Sequence, residues 1–518
     1  MKKIFQIVTL VLVIGSMSAC NKSFDSLQAD PNRATSVPAN LILNNVLLNF
    51  TNGGFNTKQR SNQYYLCNYD YYGNNEYNWT GYSFGNYNTL KNIAQMEAEA
   101  TKSVASPNPY TAIGKFLKAY FLYDLTMNLG DIPVSDALKG LTNVTPKYDT
   151  QKQVFQQILT YLEQANTEMG TLKTTNYVLA SDFYYGNDLS KWQKAVNAFK
   201  LRVLIQLSNK EADADLAIKA KFAETVSNPT KYPVFGSDAE NLTFVYNNQF
   251  NKYSTNPDNF GFDATRYNMS STYLGNLASL KDPRTFFVAE PAAALVASGK
   301  LPNSYDAFAG AGAGEDLATM SKNAGDGKYS FINRKRYYQT YTAETTTQVG
   351  YQELCFNMAE AAHRGWITGQ SAETWYQNGI KASQAFYGIK EGANTVTFQK
   401  PGGTLAESVN YAVDYKYADY YAQATVKYAA GSTGLNQILL QKYLALYQNS
   451  GAEGYYNWRR TGVPTFHTGP GTGNSQRVAL RYQYPSGERA VNKANVEAAI
   501  TAQYGGADDI NAKMWIIK

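Results

Sequence analysis

Histidine is almost missing from this sequence: His363 and His467 are the only two in 518 residues. Histidine-based acid–base catalysis and histidine metal sites are therefore confined to two isolated positions, and His363 sits where a helix ends, a place that favours a cation on electrostatic grounds alone. Cysteine is as sparse. Cys20, Cys67 and Cys355 form an odd, widely spaced set that makes neither a disulfide framework nor a metal cluster, and Cys355 reads as a small core residue. Charge is low as well, at 17% of residues. The formal +6 falls to +4 once a leader through Ala19, with Lys2 and Lys3, is removed, too weak and too evenly spread for a nucleic-acid partner. No nucleophile elbow occurs, and Gly327-Lys328 has neither the upstream glycine spacing nor the Ser or Thr of a phosphate loop. Asp213 and Asp215 start like a calcium loop but lack its glycine, so they read as helix surface. The expectation is a protein that is not an enzyme and holds no cofactor and no metal.

Long apolar runs are confined to the N-terminus. Met1-Lys2-Lys3 followed by the run Ile4 to Ile14 is a secretory leader, too short for an ordinary transmembrane helix. It ends in Met17-Ser18-Ala19-Cys20, which resembles a bacterial lipobox and marks Cys20 for lipidation after cleavage. Residues 1–19 are thus expected to be a lipoprotein signal peptide. Residues 20–35, polar and irregular up to the turn at Asp30-Pro31-Asn32, are expected to be a lipidated tether, and residues 36–518 a single domain.

Aromatic residues, by contrast, are abundant: 14% of the chain, with 42 Tyr. The densest stretch lies between Gln63 and Tyr82, where Tyr69, Tyr71, Tyr72, Tyr77 and Trp79 alternate with Asn and Gly. Rings interleaved with amides can stack on sugar faces and bond their hydroxyls, or they can form half of a core. Trp79 and Tyr82 lead into a helix and read as packing. The candidate ligand-binding residues are Tyr69, Tyr71, Tyr72, Tyr77 and Asn78, together with Arg266 and Tyr267 from a later loop-rich stretch.

Helical periodicity organises the rest. The segment from Tyr351 to Ile389 reads as a hairpin. Leu354, Met358, Ala361 and Ala362 line one helix, Gly365 closes it, Ser371 starts the next, and Trp375, Gly379, Ala382 and Phe386 line that one. Small residues facing large ones across a short turn fit a tetratricopeptide-like pair, which needs neighbours to bury its stripe. Similar stripes recur at Leu90–Ala98 with Ile113–Leu125, at Val154–Ala165 with Trp192–Leu207, and from Leu439 to Trp458. Lys200 and Arg202 lie off their stripe and read as solvated. The fold class is mostly α, about four helical pairs, with loop-rich excursions near 212–350 and 390–431. Asp131, in the turn Gly130-Asp131-Ile132-Pro133, is expected to hold backbone.

The series of motifs resembles the SusD/RagB-type outer-membrane lipoproteins. It runs from the lipobox at Cys20 and Asp30-Pro31-Asn32 through Gly130-Asp131-Ile132-Pro133, Pro146-Lys147-Tyr148-Asp149, Asp282-Pro283-Arg284 and Ala359-Glu360-Ala361-Ala362 to Trp458-Arg459-Arg460-Thr461-Gly462 and Arg481-Tyr482. The resemblance implies a lipid-anchored protein at the outer face of the outer membrane. Its partners would be a SusC-like TonB-dependent barrel and an oligosaccharide that it captures for import. The same lid role for a peptide or other polymer, and a helical-repeat interaction scaffold, stand as alternatives. Sugar contacts are individually modest, so micromolar or weaker affinity is expected.

Overall fold

The computed structural model describes residues 36–175 and 177–518. The leader, Cys20 and the Asp30-Pro31-Asn32 turn lie outside the described residues.

Four helical couples carry the scaffold. Helix α1 (Ala39–Phe50) buries Leu43, Val46, Leu47 and Phe50 against α2 (Asn86–Thr101) and α3 (Pro109–Leu129). Asn108 starts α3 through a reciprocal capping box with Thr111, and Pro109 supplies a first-turn residue that needs no amide donor. Thr150 caps α4 (Gln151–Leu172) in the same way with Gln153, and α5 (Leu189–Gln206) follows from Asp188. The third couple is α6 (Tyr351–His363) and α7 (Ala372–Phe386). Gly365 takes the left-handed φ of 68° that ends α6, and Ser371 accepts the Thr374 amide at the head of α7. A Cβ on Gly379 would stand 2.7 Å from the Phe356 ring, so the missing side chain sets how closely these helices approach. The last couple is α8 (Gly431–Ala445) with α9 (Glu453–Thr461).

The interior of this stack is charged, which corrects the reading of Lys200 and Arg202 as solvated. Both are buried, at 3% and 2% exposure. Arg202 donates to Glu353 at 2.7 Å, and Lys200 donates to Glu163 at 2.7 Å while lying 4.2 Å from the Tyr232 ring centroid. Helix α6 is central, packed by α5, α7 and α8, so the face that would meet water in an isolated hairpin meets other helices instead. Asp213 and Asp215 are not on a helix; they sit in a turn, where both pair with Lys152. Asp131 accepts the Gln151 amide at 2.7 Å, as expected.

Among the described residues, three two-stranded sheets decorate the helices. β1 (Tyr65–Cys67) pairs antiparallel with β3 (Tyr267–Met269), which ties the long excursion to the N-terminal aromatic stretch, and β2 (Leu242–Phe244) pairs with β4 (Thr346–Val349), which brings the two ends of the excursion together. The stretch expected as loop near 390–431 contains a regular hairpin, β5 (Gly392–Gln399) and β6 (Ser408–Tyr415), and a short helix, Tyr417–Ala422. Val396 and Phe398 alternate inward between polar neighbours, a period too short to stand out beside the flanking glycines. No helix among the described residues is long and apolar enough to cross a membrane.

Candidate functional site

An aromatic platform forms where β1 leaves its partner. Register places Cys67 opposite Tyr267. One residue on, the Asn68 amide donates to the Arg266 carbonyl at 3.0 Å, while its side chain donates to the Thr265 carbonyl and the Asn268 side chain. This extension brings Tyr69 to Arg266, whose guanidinium carbon lies 5.3 Å from the Tyr69 ring centroid, a cation–π distance. The chain then makes one 3-10 turn, Asp70–Tyr72. Gly73 ends the turn at φ 152°, and a Cβ there would stand 2.5 Å from the Arg60 guanidinium carbon; only glycine fits without displacing that side chain.

The turn holds its rings in a connected array. Tyr71 meets Tyr72 edge-on at 5.2 Å, Tyr72 lies 6.1 Å from Tyr69, and Tyr72 meets Tyr267 edge-on at 6.4 Å. Tyr267 is backed by Tyr65 at 5.2 Å and lies parallel to Phe55 at 6.3 Å. Tyr65 and Phe55 are buried and Tyr72 and Tyr267 half-buried, whereas Tyr69 is 49% and Tyr71 82% exposed. Large rings left in water on a braced turn make it the candidate contact surface. Arg60 reaches it from below, donating to the Tyr65 hydroxyl and the Thr57 hydroxyl at 3.1 Å each. Among the described residues neither Arg60 nor Arg266 has a carboxylate at ion-pair distance; the Arg60 Nη atoms are already engaged, and the Arg266 guanidinium keeps its donors for a ligand. Behind them burial pushes the Asp263 carboxyl up to about 6.

Five of the seven residues expected at the site therefore come together: Tyr69, Tyr71, Tyr72, Arg266 and Tyr267. Tyr77 and Asn78 do not. Tyr77 is 3% exposed, donates its hydroxyl to the Ser61 carbonyl at 2.9 Å and its amide to the Thr472 carbonyl, so it belongs to the core. Asn78 is exposed but engaged with the C-terminal loop, accepting the Asn474 amide and donating to Glu76. Trp79 stacks on Tyr482 at 4.1 Å and 6°, and Tyr82 bonds Asp124, the packing role expected of both. Phe262, 67% exposed on the short helix Phe260–Asp263 that leads to Arg266, was not among the expected residues. Nothing in its local pattern separates it from the half-buried Phe260 on the same turn.

The two histidines serve loops. His363 Nδ1 lies 2.8 Å from the Tyr428 hydroxyl, and His467 Nδ1 lies 3.1 Å from Ser271 Oγ. No group of three or more His, Cys, Asp or Glu among the described residues is placed to hold a metal ion.

Comparison with known proteins adds to this geometry. A SusD-like family model, described as starch-binding and associating with the outer membrane, matches residues 31–485. A SusD homolog from Bacteroides fragilis is 29% identical, with 93% of this chain and 100% of that one covered and a TM-score of 0.80. A putative outer membrane protein from Bacteroides vulgatus, described as probably involved in nutrient binding, matches with the same identity and coverage and a TM-score of 0.78. A chitin-binding SusD homolog from Flavobacterium johnsoniae shares the fold at 18% identity and a TM-score of 0.68, over 93% of this chain and 98% of that one. No functionally curated protein matches.

Proposed function

Because this chain belongs to the SusD-like family of nutrient-binding proteins associated with the outer membrane, we propose that it captures oligosaccharides on the Tyr69–Tyr72 platform and delivers them to a SusC-like TonB-dependent barrel. In this reading a lipid on Cys20 anchors the chain with the platform facing the cell exterior. It binds without altering its cargo.

The observation that carries the proposal is the exposure of Tyr69 and Tyr71 on a turn that Gly73, Arg266 and Tyr267 hold rigid. A flat ring presents an apolar face to the C–H face of a sugar, and the free guanidinium donors beside it suit hydroxyl and ring oxygens. A preformed surface loses little ordering entropy on binding, yet each ring contributes only about 0.5–1.5 kcal/mol, which keeps affinity micromolar or weaker.

Calorimetry of the protein starting after Cys20, against a panel of glycans and of peptides of similar length, tests this reading. Heats with glycans alone support it. Heats with peptides alone move the cargo to the second class, and recovery from envelopes of some protein other than a barrel points to the scaffold alternative. A Cys20→Ser variant should leave the envelope fraction for the soluble one.

A further inference from the structure

A second polar pocket lies away from the platform, between α7, the β5–β6 hairpin and the short helix Tyr417–Ala422. Its volume is about 360 Å³, and Lys381, Gln384, Ile389, Glu391, Tyr415 and Tyr417 line it, which is within the range of small-ligand sites. None of these residues belongs to the platform.

The walls are fixed while part of their hydrogen-bonding capacity is unused. Tyr417 stacks on Tyr421 at 5.8 Å and 11°, and Tyr421 is held by Glu373 at 2.6 Å. The Tyr417 amide donates to Glu391 at 3.2 Å. Gln384 is 4% exposed. Its Oε1 accepts the Tyr415 hydroxyl at 2.7 Å, but its Nε2 is buried with no acceptor. Buried amide groups are almost always paired, so an unpaired one lining a pocket points to a partner that comes from outside the chain. Lys381 adds a second donor. Its ammonium lies 4.6 Å from the Tyr417 centroid, with no carboxylate at ion-pair distance among the described residues.

We propose that this pocket is a second saccharide site, selective for a sugar that carries an N-acetyl group. The acetamido oxygen takes the donors of Gln384 and Lys381, the acetamido N–H and the neighbouring hydroxyls meet the Glu391 carboxylate, and the methyl group rests on Ile389. An acetamido group is both donor and acceptor, so it completes the Gln384 amide in either orientation of that side chain. A hexose hydroxyl also donates and accepts, but a plain hexose has no methyl group to rest on Ile389, so the selectivity comes from that apolar contact. The lining contains one cation, Lys381, and one anion, Glu391, which matches a neutral ligand. The ligand class rests on the glycan reading above, whereas the location rests on the pocket itself.

The test is calorimetry of the protein starting after Cys20 with chitotetraose and, as the contrast lacking acetamido groups, cellotetraose. Lys381 is exposed and Tyr417 half-buried, so Lys381→Met and Tyr417→Ala are expected to fold. Each should weaken chitotetraose binding by about fivefold or more at one of two sites and leave cellotetraose unchanged. The Tyr71→Ala/Tyr72→Ala variant should keep that component. Isotherms of Lys381→Met and Tyr417→Ala that superimpose on the wild type overturn this proposal alone, as does complete loss of chitotetraose binding in the Tyr71→Ala/Tyr72→Ala variant. A wild type that binds neither sugar overturns this proposal, whereas the glycan reading of the platform stands or falls on the wider panel.

Discussion

Arg460 and Glu360 form a two-pronged ion pair sealed inside the helical stack, with Nη1 2.5 Å from Oε1 and Nη2 2.8 Å from Oε2. Their side chains are 1% and 0% exposed. Arg364 adds a third contact to the same carboxylate at 2.9 Å, and Ser208 accepts from Arg460, tying α9 to α6 and to the end of α5. A charge paired this deeply is costly to leave alone. Glu360→Gln should therefore destabilise the protein by about 3–5 kcal/mol, read as a lower denaturation midpoint in urea with an unchanged slope.

The same carboxylate predicts how stability responds to acid. Burial opposes its ionisation, but Arg460, Arg364 and Lys442 outweigh burial and hold its carboxyl down at about 2. The folded pKa is below the unfolded value of about 4.3, so the stabilisation is complete above the unfolded pKa and is lost as pH falls through the folded one. Denaturation midpoints measured from pH 6 to pH 3 should fall steeply below about pH 4.5, and the Glu360→Gln variant should show a shallower fall.

At the α6–α7 contact, Gly379→Ala places a methyl carbon where the Phe356 ring stands. Overpacking of this kind costs about 1–3 kcal/mol. Phe356→Leu combined with Gly379→Ala should recover part of that loss. Simple additivity of the two substitutions in a denaturation cycle would show that the rings and the glycine are not coupled.

The platform depends on its glycine in a separable way. Gly73→Ala meets both the strained φ and the Arg60 guanidinium, so it should weaken glycan binding. The global melting temperature should scarcely change, because the turn buries none of its own residues.

How much of this was legible in the sequence differs from one element to the next. The α6–α7 hairpin was readable because each of its decisions is local: Gly365 ends a helix, Ser371 starts one, and Gly379 recurs at helical spacing opposite larger residues. Arg202 was not readable. Its position on α5 says only that it is off the apolar stripe, while its burial is decided by Glu353, 151 residues further along. Within the site, Tyr71 and Tyr77 look alike in a stretch with no clear period. They are separated by the reversal at Gly73 and by the hydrogen bond from Tyr77 to Thr472, both of which need the folded chain. The nearness of Arg266 to Tyr69 follows from the β1–β3 register, which three-residue strands do not announce.

The central claim is that Tyr71 and Tyr72 hold the cargo, and it is most directly tested by titrating wild type and the Tyr71→Ala/Tyr72→Ala variant, side by side, with the tightest-binding glycan of the panel. Binding should weaken by roughly tenfold or more with an unchanged melting temperature. Equal affinity of the two proteins for that glycan would contradict it.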